Sequence, residues 1–146
     1  MRTKAAAGRK ILFLALGDWP GPTRMLAEFA RLGCECGVMS PPGFAIAASR
    51  FAAVRFGLPR HRGLGLGLLA ARFRLEHANR DWHPDLIVPL DDASAWLLRG
   101  LAAGRWASVA LRRLLEVSLG SPSGYDAACS RTHFLELATA LGVPHG

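Results

Sequence analysis

The residues of this chain best placed to do chemistry are carboxylates that follow apolar runs. Asp91 and Asp92 come directly after Leu86-Ile87-Val88-Pro89-Leu90, and Asp18 comes just after the run Ile11 to Leu16 and Gly17. A carboxylate pair at the end of a buried strand could bind a cation or the amino group of a substrate. One of the two is also expected to cap the helix behind it, because a carboxylate there accepts backbone N–H groups and meets the positive end of the helix dipole. Asp18 and Trp19 lie in a loop rich in Gly and Pro, Gly17 to Thr23, and Ser40 opens a second such stretch, Ser40-Pro41-Pro42-Gly43. Gly17, Asp18, Trp19, Ser40, Asp91 and Asp92 are therefore the candidate substrate contacts, with Trp19 reading equally well as a lid over the core.

Other familiar chemistries lack their residues. The five histidines, His61, His77, His83, His133 and His145, form no pair at metal-ligand spacing, and no Ser, His and Asp assemble into a nucleophile elbow. Cys34 and Cys36 are one residue apart, a spacing that fits neither a zinc ribbon nor a redox pair, and Cys129 stands alone; all three read as ordinary reduced thiols. The first loop lacks the Gly-x-Gly-x-x-Gly order, and Pro20 and Pro22 remove two donors that a phosphate cradle would use. Gly63, Gly65 and Gly67 alternate without a buried strand before them, which reads as flexible linker. No catalytic residue and no metal site are expected in the chain itself.

The elements that must position these residues can be read from periodicity. Ile11 to Leu16 is a continuous apolar run, as expected of a strand buried on both faces of a parallel sheet. Met25, Leu26, Phe29, Ala30 and Leu32 then recur at helical spacing and stop at Gly33, and Cys34 to Met39 reads as the second strand. A right-handed βαβ unit follows. Phe44 to Arg50 reads as a short helix, and Phe51 to Phe56 as a weak third strand with Arg55 at an edge or in solvent. Arg60 to Gly67 reads as loop, and Leu68 to about Asp81 as helix through Leu69, Phe73, Leu75 and Ala78. The fourth strand is Leu86 to Leu90, followed by a helix carrying Trp96, Leu97, Leu98 and Leu101 to about Gly104. Two more helices are expected, Ser108 to about Leu119 with Arg112 and Arg113 outward, and Ser130 to Leu141. The result is an α/β fold around an open parallel sheet of about four strands, with helices on both faces. Ligands in such sheets sit beyond the carboxyl ends of the strands, where the candidate residues fall.

With 146 residues, 51% of them hydrophobic and 20% charged, the chain has the size and composition of one folded domain. Arg or Asp interrupts every apolar stretch before it could cross a bilayer, and the run behind the basic first ten residues is too short for a signal peptide. A cytoplasmic protein is expected. The net charge of +7 raises the question of nucleic acid, but the basic residues are spread without a block, which weighs against a nucleic-acid partner.

Three features together resemble the amino-terminal, pre-ATP-grasp domain of ATP-grasp ligases. They are the opening strand with its Gly17 loop, the Pro84-Asp85-Leu86-Ile87-Val88-Pro89-Leu90-Asp91-Asp92 segment, and the Ser130 to Pro144 stretch. In that family a basic residue opens a helix that ends in a Leu-Gly-Ile/Val-Pro turn just before the nucleotide-binding domain. Arg131, Leu135, Ala138 and Leu141-Gly142-Val143-Pro144 look like that junction, with Arg131 where a Lys is more usual. The resemblance implies a Rossmann-like, pre-ATP-grasp type fold and a ligase that joins a carboxylate to an amine or thiol through an acyl-phosphate. ATP and Mg²⁺ would be held by residues outside this chain. It also implies a division into a disordered basic segment at 1–10, an α/β domain at 11–129, and a junction helix and turn at 130–146. The implied partners are the ATP-grasp domain of the same polypeptide and a small-molecule acceptor substrate, with a homodimer left open and no membrane. The amino-terminal half of a two-domain glycosyltransferase and a free-standing, non-catalytic α/β binding module are the competing readings.

Overall fold

The computed structural model describes residues 8–59, 64–104, 106–121, 124–125 and 130–143. Four strands form one parallel sheet: β1 (Lys10–Leu14), β2 (Glu35–Ser40), β3 (Val54–Gly57) and β4 (Leu86–Pro89), in the order β3-β2-β1-β4. The helices are α1 (Gly21–Arg31), α2 (Leu64–Asp81), α3 (Asp92–Ala103), α4 (Val109–Leu119) and α5 (Arg131–Ala140), with a 3₁₀ turn at Ala45–Ala48 between β2 and β3. This is the expected open parallel α/β sheet, Rossmann-like in its strand order.

The two faces of the sheet are covered unequally. Leu12, Leu14, Met39 and Ile87 point to one side, where Leu75 and Ala78 of α2, Leu97, Leu98 and Leu101 of α3, and Leu111 and Leu115 of α4 cover them. Ile11, Phe13, Cys36 and Val38 point to the other, where Leu26 of α1 and Ile46 of the 3₁₀ turn complete a smaller core. Strand β1 is central, so its apolar run is buried on both faces; Leu12, Phe13 and Leu14 are wholly enclosed. Each such side chain contributes roughly 1.5–3 kcal/mol through removal from water. Burial also pushes the Cys36 thiol up to about 11, with a smaller contribution from neighbouring Cys34, so it stays protonated at neutral pH.

The sheet edges are closed by specific groups. On β4 the Ile87 N–H donates to Ser118 Oγ of α4 at 2.9 Å, and Pro89 has no N–H to leave unpaired. On β3 the Arg55 guanidinium donates to the carbonyl oxygens of Ala47 and Ser49 at 2.9 and 2.7 Å, tying the edge to the 3₁₀ turn.

Several boundaries and faces differ from the sequence expectation. Helix α1 begins at Gly21, inside the segment read as loop, because Pro22 falls in the first turn, where a missing N–H costs nothing. Helix α2 begins at Leu64, so Gly65 and Gly67 are helical and not linker, while Gly63 lies outside the described residues. Each helical glycine costs about 1 kcal/mol relative to alanine, and packing of Ala71, Leu75 and Ala78 on the sheet offsets that. Strand β3 starts at Val54 and not at Phe51. Trp96, expected among the anchors of its helix, is 63% exposed, and Phe73 and Leu69 of α2 also lie outside the core. Among the described residues no helix is long and apolar enough to cross a membrane.

Candidate functional site

The strand order reverses between β1 and β4, since the chain leaves β1 toward β2 on one side and returns to β4 on the other. The crevice above that point is where an open parallel sheet receives a ligand. It brings together the segment after β1 and the start of α3, and hence Gly17, Asp18, Trp19, Asp91 and Asp92.

Asp91 is the structural hinge of this edge. Its Oδ2 accepts the N–H groups of Leu16 at 2.8 Å and Gly17 at 3.0 Å, and its Oδ1 accepts that of Ser94 at 2.8 Å. Ser94 Oγ in return accepts the Asp91 N–H at 3.2 Å, completing a capping box. One carboxylate therefore both caps α3 and fixes the β1 loop against β4. The capping role expected of one member of the pair falls to Asp91. Asp92 lies in the first turn of α3, exposed, with a favourable place at the positive end of the helix.

Trp19 spans the crevice. Its Nε1–H donates to the Leu90 carbonyl oxygen at 3.1 Å, and its ring lies so close over Gly21 that a Cβ there would come within 1.9 Å of it. Gly21 is thus the residue that lets the indole approach the start of α1. Half of Trp19 remains exposed, so it forms a cover whose outer face meets solvent. Asp18 Oδ1 accepts the Ala45 N–H at 3.0 Å, which ties the β1 loop to the 3₁₀ turn; its other oxygen has no partner among the described residues. Gly17 is exposed.

Ser40 is the last residue of β2, not part of a loop. It is 3% exposed, and its Oγ has no hydrogen-bond partner among the described residues. A buried hydroxyl without a partner is costly, and this one is enclosed and does not open on the crevice.

Of the three residues expected at a domain junction, Arg131 and Gly142 fall at the two ends of α5. Arg131 is its first residue, and Pro144 lies outside the described residues. Gly142 takes a φ of 68° and closes the helix: its N–H donates to Thr139 O at 3.0 Å, and the Val143 N–H donates to Ala138 O at 2.9 Å. These are the two bonds of a Schellman turn, which needs a left-handed residue and so favours glycine.

The crevice offers positioning groups more than reactive ones. Among the described residues no three His, Cys, Asp or Glu side chains gather to hold a metal ion. The start of α1 does not fit a nucleotide phosphate: Pro22 has no N–H, the Thr23 N–H is directed to Pro20 O, and Trp19 covers Gly21. Asp18 and Asp92 remain able to accept hydrogen bonds from a small polar molecule, whereas the Ser40 hydroxyl is enclosed in the fold.

Sequence reasoning missed the Trp19–Leu90 bond, the Asp18–Ala45 bond and the part played by Ser94. Only Ser94 had a signal, in the spacing Asp91-x-x-Ser94, which is that of a capping box. No family of known proteins matches this chain, and neither a curated protein nor a solved structure is significantly similar to it.

Proposed function

We propose that this chain is the substrate-side front domain of an ATP-dependent ligase of the ATP-grasp type, which joins a carboxylate to an amine or thiol through an acyl-phosphate. One observation carries the reading beyond sequence resemblance. Helix α5 is capped at both ends yet has little of its apolar surface covered. Ser130 Oγ accepts the His133 N–H at its start, and the Leu141-Gly142-Val143 turn closes it. Phe134, Leu135, Leu137, Leu141 and Val143 are nevertheless all exposed, and of the described α5 side chains only Ala138 is buried. A well-formed helix with a bare apolar surface is what a junction packed on a neighbouring nucleotide-binding domain requires.

In this reading the crevice above β1 and β4 forms one wall of the acceptor site. Asp18 and Asp92 contact the acceptor, Trp19 covers it, and Asp91 positions the loops. ATP and Mg²⁺ bind to the following domain, and the enzyme works in the cytoplasm.

Titration calorimetry with ATP and Mg²⁺ tests the division of labour. The chain alone is expected to show no binding at micromolar ATP. Micromolar affinity would contradict the assignment, because it would place the nucleotide site here.

A further inference from the structure

A second candidate site lies away from the crevice, in a cleft of about 730 Å³ between α1 and the segment from Ala45 to Phe51. Arg24, Glu28 and Arg31 line one wall, at positions that recur along one face of α1. Ser49, Arg50 and Phe51 line the other. Three guanidinium groups thus share the cleft with a single carboxylate.

The opposing wall is held in place from both sides. Asp18 accepts the Ala45 N–H, and the Arg55 guanidinium donates to Ala47 O and Ser49 O. The aromatic ring of Phe51 gathers the cations: the Arg50 and Arg31 guanidinium carbons lie 5.0 and 5.9 Å from its centroid. Glu28 pairs with Arg31, whereas Arg24 and Arg50 have no ion pair among the described residues. The cleft thus carries more cationic than anionic side chains among the described residues, and an anion bound within it offsets their mutual repulsion.

We propose that this cleft binds a small molecule bearing a phosphate or pyrophosphate group. Planar guanidinium groups match phosphate oxygens in paired hydrogen bonds. Arg24 and Arg50 supply that contact, and Glu28, which lines the same cleft, accepts a hydroxyl or amino group of the same molecule through the oxygen not engaged by Arg31. A nucleic-acid strand fits poorly, since it needs a row of uncompensated cations and Glu28 compensates Arg31 here. The proposal does not depend on the ligase reading, whose acceptor site lies in the crevice above β1 and β4.

The test is calorimetry of the chain with inorganic pyrophosphate, without Mg²⁺, at about 50 mM salt. The expected dissociation constant is on the order of 0.1–1 mM, roughly the strength of two charge-assisted phosphate contacts in water. The double substitution Arg24→Gln and Arg50→Gln should weaken it at least about tenfold, one such contact being worth that much. Arg113→Gln, at an exposed position of α4, should leave it unchanged, and thermal melts of both variants should match the parent. Absence of binding at millimolar pyrophosphate, or equal weakening by Arg113→Gln, would overturn the proposal. So would a single-stranded oligonucleotide that binds more tightly than pyrophosphate and loses affinity in the same double variant, because the cleft would then serve nucleic acid.

Discussion

Helices α3 and α5 make an instructive pair. Both are short, both are opened by a side-chain cap, Asp91 for α3 and Ser130 for α5, and both are rich in leucine and alanine. Helix α3 buries Leu97, Leu98, Leu101 and Ala102 against the sheet, whereas α5 leaves Phe134 58% and Leu141 69% exposed. Local sequence therefore suffices to start and stop a helix, but its apolar residues need a surface to cover them. The core supplies that surface for α3, and the reading advanced above supplies it for α5 from a neighbouring domain.

The contrast can be broken most severely at Leu98, which is fully enclosed. Leu98→Ala should lower the unfolding free energy measured in urea by about 3 kcal/mol, through lost burial and the cavity left behind. A loss within about 0.5 kcal/mol, the range for surface changes, would mean that α3 is not part of the core. Asp91→Ala should cost about 2 kcal/mol, because it removes the cap of α3 and leaves the Leu16 and Gly17 N–H groups without their acceptor. On the ligase reading, its effect on the acceptor KM of the full-length enzyme should follow that lost stability. An increase in acceptor KM with stability intact would make Asp91 a substrate contact and not a positioning residue.

On α5 the same kind of change should do almost nothing to the isolated chain. Phe134→Glu and Leu137→Glu should each shift stability by no more than about 0.5 kcal/mol, as exposed sites do. On the ligase reading, they should reduce the activity of the full-length enzyme by disturbing the proposed junction. Destabilisation of the isolated chain as large as that of Leu98→Ala would show that α5 belongs to this core.

The smallest effect is expected at the amino end of β1. The Lys10 backbone N–H and the Arg9 guanidinium, in that order, hold the Asp85 carboxyl below the usual carboxylate range. A depressed folded value means that Asp85 contributes stability above its unfolded pKa of about 3.9 and loses that contribution as pH falls through the lower folded value. Solvent screening keeps the contribution small. Acid titration should show a shallow loss of stability below about pH 4 that Asp85→Asn lessens. An unchanged titration in that variant would mean that the contacts at Lys10 and Arg9 do not stabilise the fold.

The fold was legible in the sequence because the central strand β1 and the edge strand β4 are marked by uninterrupted apolar residues, Ile11 to Leu14 and Leu86 to Val88. Their acidic followers marked the carboxyl edge for the same reason. The start of α2 was hidden because Leu-Gly alternation carries a loop's composition, and only packing on the sheet makes it helical. Trp96 was misplaced because periodicity shows that a helix has an apolar face without showing how wide that face is. The crevice was legible as a place but not as a set of contacts. The bond from Trp19 to Leu90 O joins residues far apart in sequence, and a backbone carbonyl leaves no mark in the sequence. The arginine cleft has half a signal, the helical spacing of Arg24 and Arg31; Arg50 joins them only through the path of the chain after β2.

The most direct test of the ligase reading is the sequence of the source DNA beyond the codon for Gly146. The account predicts an open frame continuing for at least one further domain, roughly 100–200 residues, with a lysine-bearing nucleotide site and acidic metal ligands. A stop codon immediately after Gly146 would contradict it and leave a binding domain that acts without a ligase partner.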